Sequence, residues 1–103
     1  MYPRNEAIPP PLKAKVVKAN DGSGITTGVA AYHVTGTTRA AGLGVLTHIA
    51  NGQWSYAPTQ AETDYTEFSV EFYHADAVAG GPVVDVVTAA IEITTEGENI
   101  YTA

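Results

Sequence analysis

The chain contains no cysteine, so it has neither a disulfide framework nor a thiolate metal site. A cysteine-free composition is what we expect of a protein that folds in a reducing cytosol. Nor is there any run of about 20 apolar residues that could cross a bilayer. The opening residues, 1–6, lack the apolar segment of a signal peptide. We therefore expect no contact with a membrane.

Basic residues are scarce and occur only in the first part of the chain. Against 11 acidic residues there are five Lys and Arg residues, and the last of these is Arg39. The acidic remainder repels phosphate, so we expect no nucleic-acid partner. The basic first part and the acidic remainder could attract each other between subunits. The alternative is that the acids only keep the surface soluble.

Charged residues make up 16% of the chain, below the ~25% that is usual for soluble domains. Much of the surface must therefore consist of small neutral residues or be covered by another subunit. At 103 residues the chain has room for one hydrophobic core. We expect a single domain, present as a homo-oligomer or in many copies.

Proline dominates residues 1–11 and excludes a helix or a central strand there. We predict an extended arm that is ordered on a neighbouring subunit, because so short a segment buries too little surface to order itself. A loose chain end and a proline-rich ligand for a signalling domain are alternatives. If the arm binds a neighbour, its deletion should leave the fold intact. The candidate partner-binding residues are Tyr2, Pro3, Arg4, Ile8, Pro9, Pro10 and Pro11.

From residue 12 onward, short alternating segments separated by Gly-rich and Asx-rich turns predict β-strands. The predicted strands cover 12–18, 29–35, 45–49, 54–57, 66–74 and 83–88, with a possible continuation over 91–95. This spacing predicts an all-β protein, an antiparallel β-sandwich of about six or seven strands. We assign the sandwich to residues 12–95 and a polar C-terminal tail to 96–103. Within the sandwich, we expect residues 36–44 to be a soft connection, that is, a loop between two strands with no strand of its own.

The segment around the single tryptophan predicts three consecutive features. Asn51-Gly52 is a hairpin turn, and Trp54 and Tyr56 follow on one side of a strand. After a proline, Thr59 and Glu62 have the spacing of a capping box, which predicts one short helical turn near 59–63. The predicted structural core consists of Trp54, Tyr56, Phe68, Val70 and Phe72.

No arrangement of residues predicts catalysis, a cofactor or a metal. His33, His48 and His74 lie on different predicted strands without ligands at metal-binding spacing. Glu67 and Glu71 share one strand face but are about 13 Å apart by strand rise. The chain lacks a Gly-x-Ser-x-Gly elbow and phosphate-binding glycine motifs, and the loop around residue 21 lacks the ligand spacing of a calcium site. We predict a protein that is not an enzyme.

Exposed aromatic residues on a flat sheet offer an alternative function. Trp54, Tyr56 and Tyr73 could form a platform on which a sugar stacks, which would make the chain a carbohydrate-binding module for host recognition. We favour a buried Trp54, because a small domain places its few aromatic residues inside. Polysaccharide is therefore the second choice of partner.

The order of several motifs resembles a known family. They are the opening 1–7, the Gly-rich segment 42–47, the turn and strand 51–56 and the cap 58–63. Together they look like the small immunoglobulin-like modules of tailed-bacteriophage virion proteins, over residues 1–90. The resemblance implies a structural subunit made in the host cytoplasm and located on the particle surface, with capsid or tail proteins as partners. It implies head decoration or head-fibre anchoring, or a tail or baseplate role, and no catalytic residues.

Overall fold

The computed structural model describes residues 2–88, which form seven strands and two short 3₁₀ turns. The possible strand at 91–95 and the predicted tail at 96–103 lie outside the described residues. The strands are β1 (Leu12–Lys15), β2 (Ala30–Thr35), β3 (Thr38–Ala41), β4 (Val45–Ala50), β5 (Gln53–Ala57), β6 (Glu67–Tyr73) and β7 (Val83–Val87). The 3₁₀ turns are Ala61–Thr63 and Val78–Gly80. Within residues 2–88 no helix is long and apolar enough to span a membrane.

The strands form two antiparallel sheets, which confirms the predicted all-β sandwich. One sheet has the order β1-β5-β4 and the other the order β3-β2-β6-β7. If β1 is equated with strand B of an immunoglobulin domain, the sheets correspond to B-E-D and C′-C-F-G. Residue Tyr2 forms a parallel bridge with Thr88, directly after β7. The connectivity is therefore immunoglobulin-like.

Strict alternation along β6 separates the core from solvent. Phe68, Val70 and Phe72 are at most 3% exposed, whereas the residues between them face outward. Trp54 and Tyr56 reach the same core from β5 in the opposite sheet. Burial of aromatic and branched side chains of this size contributes about 1.5–3 kcal/mol each. These five residues form the centre of the sandwich.

The predicted Asn-Gly turn joins β4 to β5. Asn51 and Gly52 both have positive φ, 49° and 88°, as the type I′ turn of a two-residue hairpin requires. The turn packs closely on the preceding loop, because a Cβ at Gly52 would lie 2.6 Å from the Cα of Gly24. Beside it, the indole Nε1 of Trp54 donates to the carbonyl of Ile25 at 2.8 Å. The Asn51-Gly52 turn therefore closes the hairpin of β4 and β5, and the loop around Gly24 and Ile25 packs against it.

Strand β3 lies in the segment that we expected to be a soft connection. It pairs with β2 through a two-residue turn at Gly36 and Thr37. All four of its residues are exposed, so the strand carries no buried apolar position. Alternation could not reveal it, because this edge strand buries no apolar side chain and is held by backbone pairing with β2 and by the contacts of Arg39 with Tyr32 and Glu71.

Candidate interaction site

The proline-rich arm lies against its own domain. The ring of Tyr2 packs edge-on against Phe68 at 6.1 Å between centroids, and its hydroxyl donates to the carbonyl of Pro10 at 2.6 Å. Pro9 is buried. Burial raises the pKa of Tyr2 to about 12. The arm is not extended throughout, because it bends at residues 4–5 and 7–8 and Asn5 has a φ of 57°. The contacts of Tyr2 are with its own chain.

Polar contacts attach the arm to the turn at 59–63, which we call the capped turn. The amide of Asn5 donates to Thr63 Oγ1 at 3.0 Å, and Gln60 Nε2 donates to the Asn5 carbonyl at 3.1 Å. Arg4 forms an ion pair with Asp64 at 3.3 Å. In the arm, Ile8 is 88% exposed, and Pro10 and Pro11 are also exposed. We expected the arm to lie on a neighbour, and its partner-binding role stays a prediction.

A buried hydrogen-bond network surrounds the capped turn. Thr59 and Glu62 form a reciprocal capping box: Glu62 N donates to Thr59 Oγ1 at 3.2 Å, and Thr59 N donates to Glu62 Oε1 at 3.0 Å. The carboxylate of Glu62 also accepts the Tyr56 hydroxyl at 2.6 Å and the Leu43 amide at 2.9 Å. Glu62 is only 5% exposed, so these donors replace the water that it loses. The capping pattern was visible in the sequence, but the link to the 42–44 loop was not.

The Tyr56 hydroxyl connects the capped turn to β4. Besides donating to Glu62, it accepts the Gly44 amide at 2.8 Å. Burial and the hydrogen bond to Glu62 raise the pKa of Tyr56. On the other side of the turn, His33 Nε2 lies 2.8 Å from the Glu62 carbonyl oxygen. Hydrogen bonds thus join Tyr56, Glu62 and His33 to one another, and this network positions the capped turn and the 42–44 loop.

The sugar platform considered from the sequence does not form. Trp54 is 7% exposed and Tyr56 only 1%, and both face the core. Tyr73 lies on the opposite, outward side of β6, where its ring packs against Tyr32 at 6.0 Å. A sugar cannot stack on two rings that are covered by the second sheet. The alternative's expectation of an exposed Trp54 and Tyr56 is therefore wrong, whereas sugar binding through Tyr73 stays an untested alternative.

The three histidines are separated. His33 is buried, the ring of His48 lies 4.9 Å from that of Trp54, and His74 Nδ1 accepts the Asp76 amide at 3.0 Å. Among residues 2–88 no three His, Asp or Glu side chains gather as a metal site would require. In the loop around residue 21, whose spacing does not match a calcium site, the hydrogen bonds from Ser23 lower the pKa of Asp21. The Asp21 carboxylate therefore stabilises the turn in which it lies.

The outward face of the four-stranded sheet carries a cluster of aromatic and charged residues. The guanidinium carbon of Arg39 lies 3.7 Å from the centre of the Tyr32 ring, and Arg39 Nε donates to Glu71 at 2.7 Å. The hydrogen bond to Glu71 raises the pKa of Arg39. Tyr73 completes the cluster beside Tyr32. Sequence reasoning missed it, because Arg39 lies on the unrecognised strand β3.

Beside this cluster the same face exposes apolar residues on β7. Val83 and Val87 are each 53% exposed, and they flank Asp85, which accepts the Ser69 hydroxyl at 2.6 Å. A groove of about 510 Å³ runs along the β6–β7 end of the face and includes Val34, Glu67 and Val87. The sequence predicts a strand at Val83-Val84-Asp85-Val86-Val87. It does not indicate which valines face solvent, because apolar residues occur on both faces of that strand.

The strand order and these contacts define an immunoglobulin-like β-sandwich with an outward sheet face that carries both charged and exposed apolar residues. Comparisons of this chain with protein-family models, with curated proteins and with solved structures found no match.

Proposed function

We propose that the chain is a non-enzymatic structural subunit of a tailed-bacteriophage virion, held on the particle surface by other virion proteins. The first form of this proposal is a capsid-exterior decoration or head-fibre anchor, and the second is a tail or baseplate subunit. The motif order described above and the immunoglobulin-like connectivity support it.

The observation that carries the proposal is the outward face of the four-stranded sheet. Val83 and Val87 remain about half exposed on β7, and Val87 also lines the groove of about 510 Å³. Exposed apolar patches with a polar rim are typical of protein contacts. In the arm, Tyr2, Asn5 and Pro9 already contact their own domain. The part around Ile8 remains exposed and is available for a second contact.

The test is to locate the chain on purified particles of the phage whose genome encodes it. Mass spectrometry of the particles and gold labelling in electron micrographs should both detect it at one repeated position, on the head in the first form and on the tail in the second. Particles that contain none of the chain would refute the proposal.

A pair of variants tests the face itself. Val83→Ser with Val87→Ser should reduce incorporation into particles, since it removes the exposed methyl groups of the face. Val78→Ser is the control, because Val78 is 52% exposed but belongs to the Val78–Gly80 turn and not to a strand of the face. Equal incorporation of both proteins would exclude the face as the docking surface.

A further inference from the structure

The two outer faces of the sandwich carry opposite charge. On the three-stranded sheet, Lys13 and Lys15 point outward from β1, and β4 and β5 contain no acidic residue, so this basic face has a charge of +2. On the four-stranded sheet, Glu67, Glu71 and Asp85 face outward with Arg39 as the single cation. Three carboxylates and one guanidinium give this acidic face a charge of −2.

Both faces also expose apolar side chains. The acidic face has Val83 and Val87, and the basic face has Val45 and Ile49, which are 65% and 49% exposed. On the basic face a groove of about 350 Å³ is lined by Lys13, Lys15, Ile49 and Gln53. Each face therefore has exposed apolar area beside a net charge that is opposite in sign to the net charge of the other face.

From this complementarity we infer that the partner of each face is a second copy of this chain, bound with its opposite face. Lys13 and Lys15 of one copy meet Glu67 and Asp85 of the next, while the exposed valines and Ile49 are covered between them. Two different surfaces of one molecule make a heterologous contact, which propagates into a column or closes into a ring. The inference deepens the proposed function and rests on it for that role, because a second copy of this chain would then be the virion protein that covers the face of Val83 and Val87. It is tested on the purified chain alone, so its failure is distinguishable from the absence of the chain from particles.

The contact is small and therefore weak. Four strands spaced about 4.8 Å apart, with four to seven residues each at about 3.3 Å, give a face of about 15–20 Å on a side. Such a face lies below the ~800 Å² per partner of a stable interface. Association in solution should need high protein concentration and moderate salt. At about 0.1 M the repulsion between whole chains of charge −6 is screened beyond about 10 Å, whereas 1 M salt also screens the paired charges of the two faces.

The experiment is sedimentation velocity of the purified full chain, from about 10 µM to about 1 mM protein, at a low salt of about 0.1 M NaCl and a high salt of about 1 M NaCl. The average mass should rise with concentration at low salt and return to that of the monomer at high salt. A chain that stays monomeric throughout at low salt would overturn the inference.

Charge reversal identifies the faces. Lys13→Glu with Lys15→Glu, and separately Glu67→Lys with Asp85→Lys, should each abolish the association. Mixed in equal amounts, the two variants should associate again, because one has two acidic faces and the other two basic faces. If the contact instead joined like faces across a twofold axis, one variant would keep associating and the inference would be wrong.

A matched control separates position from net charge. Glu6→Lys with Asp76→Lys changes two exposed acids that lie off both faces. It brings the net charge from −6 to −2, as Glu67→Lys with Asp85→Lys does, since each exchange adds two units. The control should associate at least as well as the parent chain, and its failure to do so would contradict the assignment. Circular dichroism verifies that every variant is folded.

Discussion

The Tyr56 hydroxyl donates to the Glu62 carboxylate at 2.6 Å and accepts the Gly44 amide at 2.8 Å, so one phenol joins the capped turn to the start of β4. Both side chains are buried, at 1% and 5% exposure. Removal of the Tyr56 hydroxyl therefore takes one of three donors from the buried Glu62 carboxylate and leaves the Gly44 amide without its acceptor.

Tyr56→Phe should lower the free energy of unfolding by about 1–3 kcal/mol, the cost of leaving a buried polar group unsatisfied. Urea denaturation followed by circular dichroism measures this change. Tyr65→Phe removes a hydroxyl from a side chain that is 44% exposed, and it should change stability by less than about 0.5 kcal/mol. Equal effects of the two substitutions would show that the network contributes no stability.

Stability should fall at alkaline pH. Burial raises the pKa of Tyr56 in the folded state, and that of Tyr2 to about 12, whereas both titrate near pH 10 when unfolded. Above about pH 10 the unfolded chain releases protons that the folded chain retains, so the stabilisation present below pH 10 is progressively lost. Tyr56→Phe should reduce the slope of unfolding free energy against pH by up to about 1.4 kcal/mol per pH unit. An unchanged slope would contradict the role of Tyr56.

Removal of the arm should weaken the fold, contrary to the expectation from the sequence. Tyr2→Ala removes the contact with Phe68 and the hydrogen bond to Pro10, and should cost about 1–2 kcal/mol in thermal or urea unfolding. Ile8→Ser in the same arm should cost less than about 0.5 kcal/mol, since Ile8 is 88% exposed. A Tyr2→Ala protein as stable as the parent would show that the arm is not held in solution.

Substitution of Gly36 and of Gly52 by Ala separates two costs of adding a side chain, namely strain in the backbone and collision with neighbouring atoms. Both have positive φ, but a Cβ at Gly52 would lie 2.6 Å from Gly24, whereas one at Gly36 meets nothing within 4 Å. Gly36→Ala should therefore cost about 1–2 kcal/mol from conformation alone. Gly52→Ala should cost clearly more in the same unfolding assay. Equal costs would mean that the loop around Gly24 moves away without penalty.

Trp54 provides an optical test of the core. Its indole is 7% exposed and bonded to the Ile25 carbonyl, so its fluorescence should be blue-shifted and resistant to iodide quenching. Added polysaccharide should leave the spectrum unchanged. A red-shifted spectrum that responds to polysaccharide would restore the carbohydrate alternative.

The features that were predictable from the sequence are those that depend on neighbouring residues. Alternation placed Phe68, Val70 and Phe72 on one side of β6, Asn51-Gly52 marked a hairpin, and the Thr59 and Glu62 spacing marked a turn. Each of these signals is complete within about ten residues of chain.

The features that were not predictable depend on residues that meet only in space. Strand β3 exists because β2 pairs with it, since none of its own residues is buried. The link from Glu62 to Leu43 spans 19 positions, and Asn5 reaches Thr63 across 58. The acidic face likewise combines Arg39 with Glu71, which no local pattern brings together.

The parallel bridge between Tyr2 and Thr88 determines how the domain would bear mechanical load. Because the two segments run in the same direction, tension applied from the start of the chain and from beyond Thr88 pulls them past each other along their length. Such sliding must break the backbone bridge, the contact between the rings of Tyr2 and Phe68 and the hydrogen bonds from the arm to the capped turn at the same time, rather than one after another. In a subunit that is pulled from both ends, the pairing of Tyr2 with Thr88 would therefore be the first part to resist extension.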